Sequence, residues 1–266
     1  MPITAPSEKI YAEVEAPIGW IVIDNPARRN AVDLKMWLAI PDLVAALVAD
    51  DSVRVIMVRG GGEQAFVAGA DISEFETVRA TAESARSYEA SNADAFAALR
   101  HSPKPTIAMI RGFCLGGGLG LAVSCDMRIS ADDAVFGIPA GRLGVGYPPE
   151  AVRDVVNLVG PSRAKDIFFT ARRLDHAEAL RVGLVDRVVL ADELMAETWA
   201  LAEMIAGNAP LTLKAAKAAI TGVSGDPLAA DWAAIKALAD ACFDSEDYAE
   251  GRAAFLEKRR PVFRGR

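Results

Sequence analysis

Three consecutive glycines, Gly116 to Gly118, stand between an apolar run that begins at Thr106 and an apolar segment that ends near Ser124. This pattern is typical of a strand, a tight turn and a helix. The first N–H groups of a helix are unpaired and partly positive, so they suit an oxygen that becomes anionic during a reaction. Glycine lets such a group approach the backbone closely. The triplet equally suits a packed turn without a ligand, so a second feature is needed.

A second small-residue turn lies upstream, at Ala68 to Ile72. It follows a strand-like run, Val53 to Arg59, and a glycine turn at Gly60 to Gly62. Two backbone N–H donors that converge on one carbonyl oxygen form an oxyanion hole, which is usually the largest single electrostatic contribution to catalysis. The two turns together predict such a hole, with one N–H from each.

From about Ile10 to its C-terminus the chain resembles the crotonase, or enoyl-CoA hydratase/isomerase, superfamily. The motifs that carry the resemblance are Asn30-Ala31, AGADI at 68–72, KPTIAMIRGFCLGGG at 104–118, Cys125-Asp126, FGIP at 136–139, LGVGYPP at 143–149 and AFLEKRRPVF at 254–263. The resemblance implies that the N–H groups of Ala68 and Gly117 hold the thioester oxygen of an acyl-CoA and stabilise its enolate. It also implies a spiral of ββα units with a C-terminal helical region that forms trimers, commonly paired as hexamers.

The chain departs from the family at both acid–base positions. Family hydratases carry one glutamate two residues after the glycine triplet and another directly after the FGxP proline, where this chain has Gly120 and Ala140. Positioned carboxylates contribute roughly 10² to 10⁴-fold each to proton transfer. Ordinary hydration of an enoyl-CoA, such as crotonyl-CoA, is therefore expected to be feeble.

The second half of the chain resembles the methylmalonyl-CoA decarboxylase branch of the family, through LGV-x-Y around Tyr147 and the tail at 244–248. Decarboxylation forms the same enolate without a base, and Tyr147 is the candidate to orient the departing carboxylate or support protonation. A half-buried tyrosine whose hydroxyl contacts a backbone group is an equally good reading. The branch carries a histidine where this chain has Ala70.

Other readings remain open. Glu150, which follows Pro148-Pro149, is a candidate to replace the absent glutamates, although a helix start alone explains an acid there. Loss of both glutamates also fits a protein that binds acyl-CoA without catalysis. A dinucleotide-binding oxidoreductase fits poorly, because the third glycine of G-x-G-x-x-G is Leu121 here.

The resemblance also implies how CoA is held. Arg28 and Arg29 stand where the family contacts the nucleotide, and guanidinium groups bind phosphate well. The other implied contacts are Ala31, Ala68, Ala70, Asp71, Ile72 and Gly116 in the same chain, and Phe255 and Lys258 from an adjacent subunit. Surface solvation explains an arginine pair or a basic helix end about as well. Six aromatic residues are candidates for the acyl pocket, although each also fits an ordinary core: Trp37, Phe75, Tyr88, Phe96, Phe113 and Phe136.

Composition fits an enzyme of this size. The 266 residues are 52% hydrophobic and carry a net charge of −7, which argues against nucleic-acid binding. No apolar run is long enough to span a bilayer, and the N-terminus lacks a signal-peptide core. Three cysteines and two histidines show no metal-ligand spacing. We expect a cytoplasmic enzyme with no metal and no permanently bound cofactor, for which CoA is part of the substrate.

Along the chain, strands and helices alternate up to about residue 190 and helices alone follow. Apolar residues at helical spacing after Asp33 predict a capped helix, and the alanine-rich stretch Thr81 to Arg100 predicts a partly exposed helix that covers the site. The alternation predicts an α/β fold with largely parallel strands. We expect an acyl-CoA-binding core at residues 1–200 and a helical oligomerisation region at 201–266.

Overall fold

The computed structural model describes residues 7–74 and 76–266 and contains two β-sheets. The six-stranded sheet has the order β1-β2-β3-β5-β7-β10, and the four-stranded sheet has the order β4-β6-β8-β9. The strands are β1 (Ile10–Glu15), β2 (Ile18–Ile23), β3 (Val55–Gly60), β4 (Ala65–Val67), β5 (Thr106–Ile110), β6 (Phe113–Leu115), β7 (Met127–Ala131), β8 (Val135–Gly137), β9 (Leu174–Asp175) and β10 (Arg187–Val189).

Pairing within the sheets is mostly parallel, as the alternation of strands and helices predicts. Only β1–β2 and β8–β9 pair antiparallel among the described strands. The helices are α1 (Leu34–Ala49), α2 (Ala82–Arg100), α3 (Gly117–Ser124), α4 (Ala140–Leu143), α5 (Pro149–Thr170), α6 (His176–Val182), α7 (Leu194–Ala206), α8 (Pro210–Ser224), α9 (Trp232–Phe243) and α10 (Glu246–Glu257).

Both faces of the six-stranded sheet are covered, so every residue of β2 is buried. Trp20 and Met57 lie on one face and pack in a cluster with Leu201 of α7. Ile21 and Val58 lie on the other face, in the larger core that includes residues of α1, α2, α3 and the four-stranded sheet. The sheet is therefore a rigid support for the turns that follow its strands.

Two of the helices next to the predicted site, α1 and α2, begin at side-chain caps. Asp33 accepts a hydrogen bond from the Met36 N–H at 3.0 Å, which confirms the predicted start of α1. At the start of α2, Thr81 and Ser84 each accept a hydrogen bond from the other's backbone N–H. These caps fix where both helices enter the structure.

From residue 191 onward the chain contains helices and no strand among the described residues, as the sequence predicts. The proposed division between residues 200 and 201 falls within α7, whose Leu194 and Leu201 pack on the sheet. Helices α8 to α10 lie beyond it. They expose large apolar side chains, including Phe243, Phe255 and Leu256.

Candidate functional site

The two glycine-containing bends lie side by side. Gly116, with φ 52° and ψ −120°, precedes the first turn of α3, and Gly69 has φ 117°. Residues with side chains rarely adopt either conformation. A methyl group on Gly116 would lie 4.0 Å from the Gly69 Cα, and one on Gly117 would lie 4.0 Å from the Ala70 nitrogen. Both bends therefore present their backbones to the same small space.

The Ala68 amide is not available as an oxyanion donor, which makes that part of the sequence prediction wrong. Its N–H donates to the Arg29 carbonyl oxygen at 3.1 Å. This bond ties the segment after β4 to the segment before Val32. A donor already used in the fold offers nothing to a substrate oxygen.

The amide that accompanies Gly117 is that of Ala70. The Val32 N–H donates to the Gly69 carbonyl oxygen and the Asp71 N–H donates to the Val32 carbonyl oxygen, both at 2.9 Å. This parallel bridge turns the N–H of Ala70 away from Val32. Neither Ala70 N–H nor the Gly117 N–H, in the first turn of α3, has a hydrogen-bond partner among the described residues. The site therefore has two neighbouring N–H donors, those of Ala70 and Gly117, without an acceptor among the described residues.

The glycine bend rests on an aromatic floor. A methyl group on Gly117 would lie 3.0 Å from the Trp37 indole ring. The Trp37 Nε1–H donates to the Tyr88 hydroxyl at 3.0 Å, and that hydroxyl donates to the Val32 carbonyl oxygen at 3.1 Å. Burial raises the pKa of the Tyr88 phenol well above its usual value, so Tyr88 stays neutral. The floor is thus linked to the segment that carries Ala70.

A cavity of about 210 Å³ opens onto the two free amides. Ala70 and Gly117 line it on the side of the bends, and residues from α2, α4 and the following loop line the remainder. The polar side chains that reach it are Arg79, Glu89, Asn92 and Tyr147. The cavity therefore places side chains able to donate or accept protons beside a pair of backbone donors.

The position of the first absent glutamate is filled by neighbouring side chains. A methyl group on Gly120 would lie 2.4 Å from the Phe96 Cζ and 2.9 Å from the Tyr147 hydroxyl. A longer side chain cannot enter without displacing one of them. Ala140, at the second absent glutamate, begins α4 and lines the cavity with no polar group.

Tyr147 reaches the glycine bend through its hydroxyl. The hydroxyl donates to the Gly116 carbonyl oxygen at 3.0 Å, and the ring packs edge to face on Phe168 with centroids 5.3 Å apart. Burial raises the pKa of the Tyr147 phenol far above its usual value. Tyr147 is thus a neutral group held against α3, and its predicted role in chemistry stays a prediction.

The enoyl-CoA hydratase/isomerase family matches residues 13–266 of the chain. A crotonyl-CoA hydratase from Syntrophomonas wolfei is 37% identical over 260 residues, which cover 96% of this chain and 98% of the relative. The chain belongs to the enoyl-CoA hydratase/isomerase family. A carnitinyl-CoA dehydratase from Citrobacter koseri is 34% identical over 271 residues, which cover 98% of this chain and 100% of the relative.

Solved structures of the enoyl-CoA hydratase/isomerase family show the same fold. The crystal structure of an enoyl-CoA hydratase/carnithine racemase from Magnetospirillum magneticum is 38% identical with a TM-score of 0.91, over 98% of this chain and 97% of that chain. A putative enoyl-CoA hydratase/isomerase family protein from Hyphomonas neptunium is 39% identical with a TM-score of 0.91, over 97% and 98% of the two chains. The predicted crotonase-like fold is confirmed. Nothing in these likenesses distinguishes a decarboxylase branch.

Several residues that the family resemblance assigns to CoA lie around the Ala70 bend. Arg28 forms an ion pair with Asp71 at 3.2 Å, and the Arg29 guanidinium lies over the Phe113 ring at 5.0 Å from its centre. Ile72 is 68% exposed beside the cavity. The backbone of Ala31 is held by the Asn25 amide, which donates to its carbonyl oxygen at 2.8 Å. Their contact with CoA stays a prediction.

Three residues of the predicted site lie outside the cavity. Glu150 is exposed at the start of α5 and lines another groove, of about 780 Å³, with Arg100 and Lys217. Phe255 is 84% exposed on α10, and Lys258 follows that helix at φ 55°. The single chain thus brings none of the three to the free amides.

Most of the predicted pocket aromatics form core structure. Trp37, Tyr88, Phe96 and Phe136 are at most 2% exposed, and of these only Phe96 lines the cavity. Phe113 lies beneath Arg29. Phe75 lies outside the described residues.

The polar residues of α2 line the cavity, although the sequence does not predict them as part of the site. Glu89, Asn92 and Phe96 recur at helical spacing, so they share one face of the helix. All three line the cavity, where Arg79 joins them from the preceding turn. Spacing alone marks the shared face but does not show that it points to the glycine bends. Among the described residues, no group of three or more His, Cys, Asp or Glu is placed to hold a metal.

Proposed function

We propose that this chain is an acyl-CoA enzyme that stabilises a thioester enolate with the N–H groups of Ala70 and Gly117. The observation that carries the proposal is the pair of adjacent unpaired amides at the mouth of a cavity. Removal of one donor from an oxyanion hole typically lowers kcat by about 10² to 10³-fold. The start of α3 adds the positive end of its dipole. A thioester oxygen that gains charge is the group that this arrangement fits.

The reaction class that these features support is that of a lyase acting on a short acyl-CoA. The relative from Syntrophomonas wolfei bears the name of a crotonyl-CoA hydratase. The cavity of about 210 Å³ is smaller than the roughly 300–1,000 Å³ of pockets for drug-sized ligands, which favours a short acyl group. Without carboxylates at Gly120 and Ala140, hydration requires proton transfer by another residue.

Decarboxylation of a methylmalonyl-type CoA ester is the second candidate. It is favoured by the two absent carboxylates and by Tyr147, which lines the cavity and donates its hydroxyl hydrogen bond to the Gly116 carbonyl oxygen. Loss of carbon dioxide forms the same enolate and needs no base. Glu89 argues against it, since a second carboxylate in the same cavity meets like charge. Acyl-CoA binding without catalysis is the third reading.

A panel of CoA thioesters followed by mass spectrometry tests the proposal. Gain of one water by an enoyl-CoA is the expected result, whereas loss of carbon dioxide indicates the decarboxylase and free CoA indicates a hydrolase. Acetoacetyl-CoA tests the amide pair separately, because its enolate absorbs in the near ultraviolet. Binding should increase that absorbance at neutral pH. If acetoacetyl-CoA binds without enolate absorbance, or does not bind, the proposed oxyanion hole is wrong.

The assembly and location follow as proposals from the same family assignment. Large apolar side chains exposed on α9 and α10, among them Phe243 and Phe255, support a homotrimer or a hexamer built from two trimers. No described helix has both the length and the apolar character to cross a membrane. We propose a cytoplasmic enzyme whose partner is its acyl-CoA substrate, with no nucleic-acid or membrane partner. Sedimentation analysis distinguishes monomer, trimer and hexamer.

A further inference from the structure

Glu89 is the acid of the cavity. Among the described residues that line it, no other aspartate or glutamate is present. The side chain of Glu89 projects from α2 and is 26% exposed, so it is shielded while still open to the cavity. The cavity lies between this carboxyl group and the free amides of Ala70 and Gly117.

Both carboxylate oxygens of Glu89 have a fixed partner. The Arg79 Nη2 donates to Oε1 at 2.5 Å, and the Asn92 Nδ2 donates to Oε2 at 3.2 Å. The Arg79 side chain is only 7% exposed, and its guanidinium stacks over the Tyr88 ring at 4.6 Å from the centre. These contacts hold the carboxyl group in one orientation, which proton transfer requires.

Asn92 carries an unsatisfied polar atom at the edge of the cavity. It is 5% exposed and lines the cavity. Its amide nitrogen faces Glu89, so its Oδ1 points away from that carboxylate. This Oδ1 is a buried side-chain atom without a hydrogen-bond partner among the described residues. An unsatisfied buried acceptor is costly, and a water molecule or a substrate hydroxyl in the cavity would satisfy it.

The surroundings adjust Glu89 for proton exchange. Burial raises the pKa of its carboxyl group, while the Arg79 cation and the Asn92 amide oppose that rise. Tyr88 and Tyr147 also interact electrostatically with Glu89, and both phenols stay neutral because burial raises their pKa values. A carboxyl group whose pKa moves toward neutrality exchanges protons more effectively at physiological pH.

We propose that Glu89 is the acid–base catalyst of this enzyme, with Arg79 and Asn92 as its positioning residues and the Asn92 Oδ1 as acceptor for the reacting water. The inference rests on the proposed function, since it assumes an enolate held by Ala70 and Gly117. It assigns proton transfer to α2, because Phe96 and Tyr147 occupy the space beside Gly120.

The proposed step adds water across the C2=C3 bond of an enoyl-CoA. The Glu89 carboxylate takes a proton from water as the water oxygen bonds to C3. The C2=C3 electron pair shifts toward C1, and the carbonyl pair moves to the thioester oxygen between the Ala70 and Gly117 amides. The protonated Glu89 then gives its proton to C2, and the carbonyl re-forms. The product is a 3-hydroxyacyl-CoA, and Glu89 returns to its starting charge.

Glu89→Gln in the full-length protein tests the assignment. Glutamine retains the size and an oxygen that can accept from Arg79, but it cannot exchange the proton. With crotonyl-CoA we expect kcat to fall by about 10² to 10⁴-fold. Acetoacetyl-CoA should still bind as its enolate, with affinity within about threefold. Glu83→Gln, on an exposed turn of the same helix, is the matched control and should retain the wild-type kcat.

Asn92→Leu keeps the proposal testable if Glu89→Gln does not fold. Loss of the Asn92 amide removes an interaction that lowers the Glu89 pKa, so the acid limb of the kcat/KM profile should move to higher pH. A purely structural role for Asn92 would lower activity without moving that limb. We also expect kcat to fall by about tenfold, because the reacting water loses its acceptor.

The outcomes separate the two proposals. Retention of kcat within tenfold in Glu89→Gln, or an unmoved acid limb in Asn92→Leu, overturns the role of Glu89. So does a wild-type protein that forms the acetoacetyl-CoA enolate but hydrates no enoyl-CoA, although the oxyanion hole then stands. Absence of enolate binding in the wild type instead rejects the proposed function itself.

Discussion

Two walls of the cavity, on either side of the space that α4 and the following loop close, differ in how they are built. One wall consists of backbone, where the bends at Ala70 and Gly117 offer amides and no side-chain chemistry. The other wall is the face of α2 that carries Glu89 and Asn92, where the chemistry lies entirely in side chains. The first wall depends on glycines that permit an unusual chain path. The second depends on where a regular helix happens to pack.

This difference determines how each wall tolerates change. The backbone wall is constrained at its glycines, since Gly69 and Gly116 have positive φ and a methyl group on the adjoining Gly118 would lie 2.2 Å from the Val67 carbonyl oxygen. The α2 wall has ordinary helical backbone, so its side chains are limited by their neighbours and not by the chain path. On the proposed mechanism, carbonyl binding would therefore depend on the backbone path and proton transfer on individual side chains.

The largest effect on stability should follow from Gly118→Ala. The added methyl group overlaps backbone, which cannot swing aside as a side chain can, so we expect a loss of about 3 kcal/mol in the free energy of unfolding. Gly146→Ala is the control, because a methyl group there meets nothing within 4 Å. Denaturant unfolding should show a change within about 0.5 kcal/mol for it. Equal losses in the two variants would remove the proposed constraint on the backbone wall.

Gly120→Glu tests whether the backbone wall can regain the family's carboxylate. The side chain meets Phe96 and Tyr147, so we expect about 2 kcal/mol of destabilisation and no increase in kcat with crotonyl-CoA. Adding Phe96→Ala opens space and gives a matched comparison. A tenfold rise in kcat for the single variant would mean that proton transfer belongs to α3 after all.

Tyr88→Phe tests the link between the walls. The change leaves the Trp37 N–H without its acceptor and removes one of the two donors to the Val32 carbonyl oxygen, so we expect a loss of about 1–2 kcal/mol in the free energy of unfolding. The kcat for crotonyl-CoA should fall several-fold as α2 becomes less well placed. Tyr11→Phe, on the half-buried surface of β1, is the control and should change the unfolding free energy by less than about 0.5 kcal/mol. Similar unfolding curves for both variants would show that the link is energetically unimportant.

The smallest effect should come from Glu150→Gln. Glu150 is exposed and lines the groove near Arg100 instead of the cavity. We expect kcat within about twofold of the wild type in the assay used for Glu89→Gln. Loss of turnover in Glu150→Gln would place an acid of the reaction on α5, and proton transfer would then not belong to the α2 wall.

The sequence predicted the backbone wall more closely than the side-chain wall. The strand at Thr106–Ile110, the glycine bend, the capped α1 and the helical stretch of α2 follow from local pattern, because turns, caps and helical spacing depend on neighbouring residues. The family resemblance assigns the first donor to Ala68 instead of Ala70, and no local pattern corrects this, because the direction of an amide depends on long-range partners. Here those partners are Arg29 and Val32.

For a similar reason, local sequence pattern does not identify Glu89 as a residue of the site. Glu89 is one of several charged residues on an alanine-rich helix, and nothing adjacent in the chain distinguishes it from Glu83. Its difference is its location: Glu89 lies by the cavity against Arg79 and Asn92, while Glu83 is exposed. Such tertiary contacts are invisible to periodicity.

Tyr88 immediately precedes Glu89, and its hydroxyl is fastened to Val32, which in turn bridges to Ala70. The phenol ring therefore sets a fixed distance between the Ala70 bend and the face of α2 that carries Glu89. A substrate whose reacting carbons do not match that distance would bind the Ala70 and Gly117 amides through its carbonyl oxygen, but those carbons would remain out of reach of Glu89. On the proposed mechanism, selectivity for the position of the double bond would follow from the fixed length of this one ring.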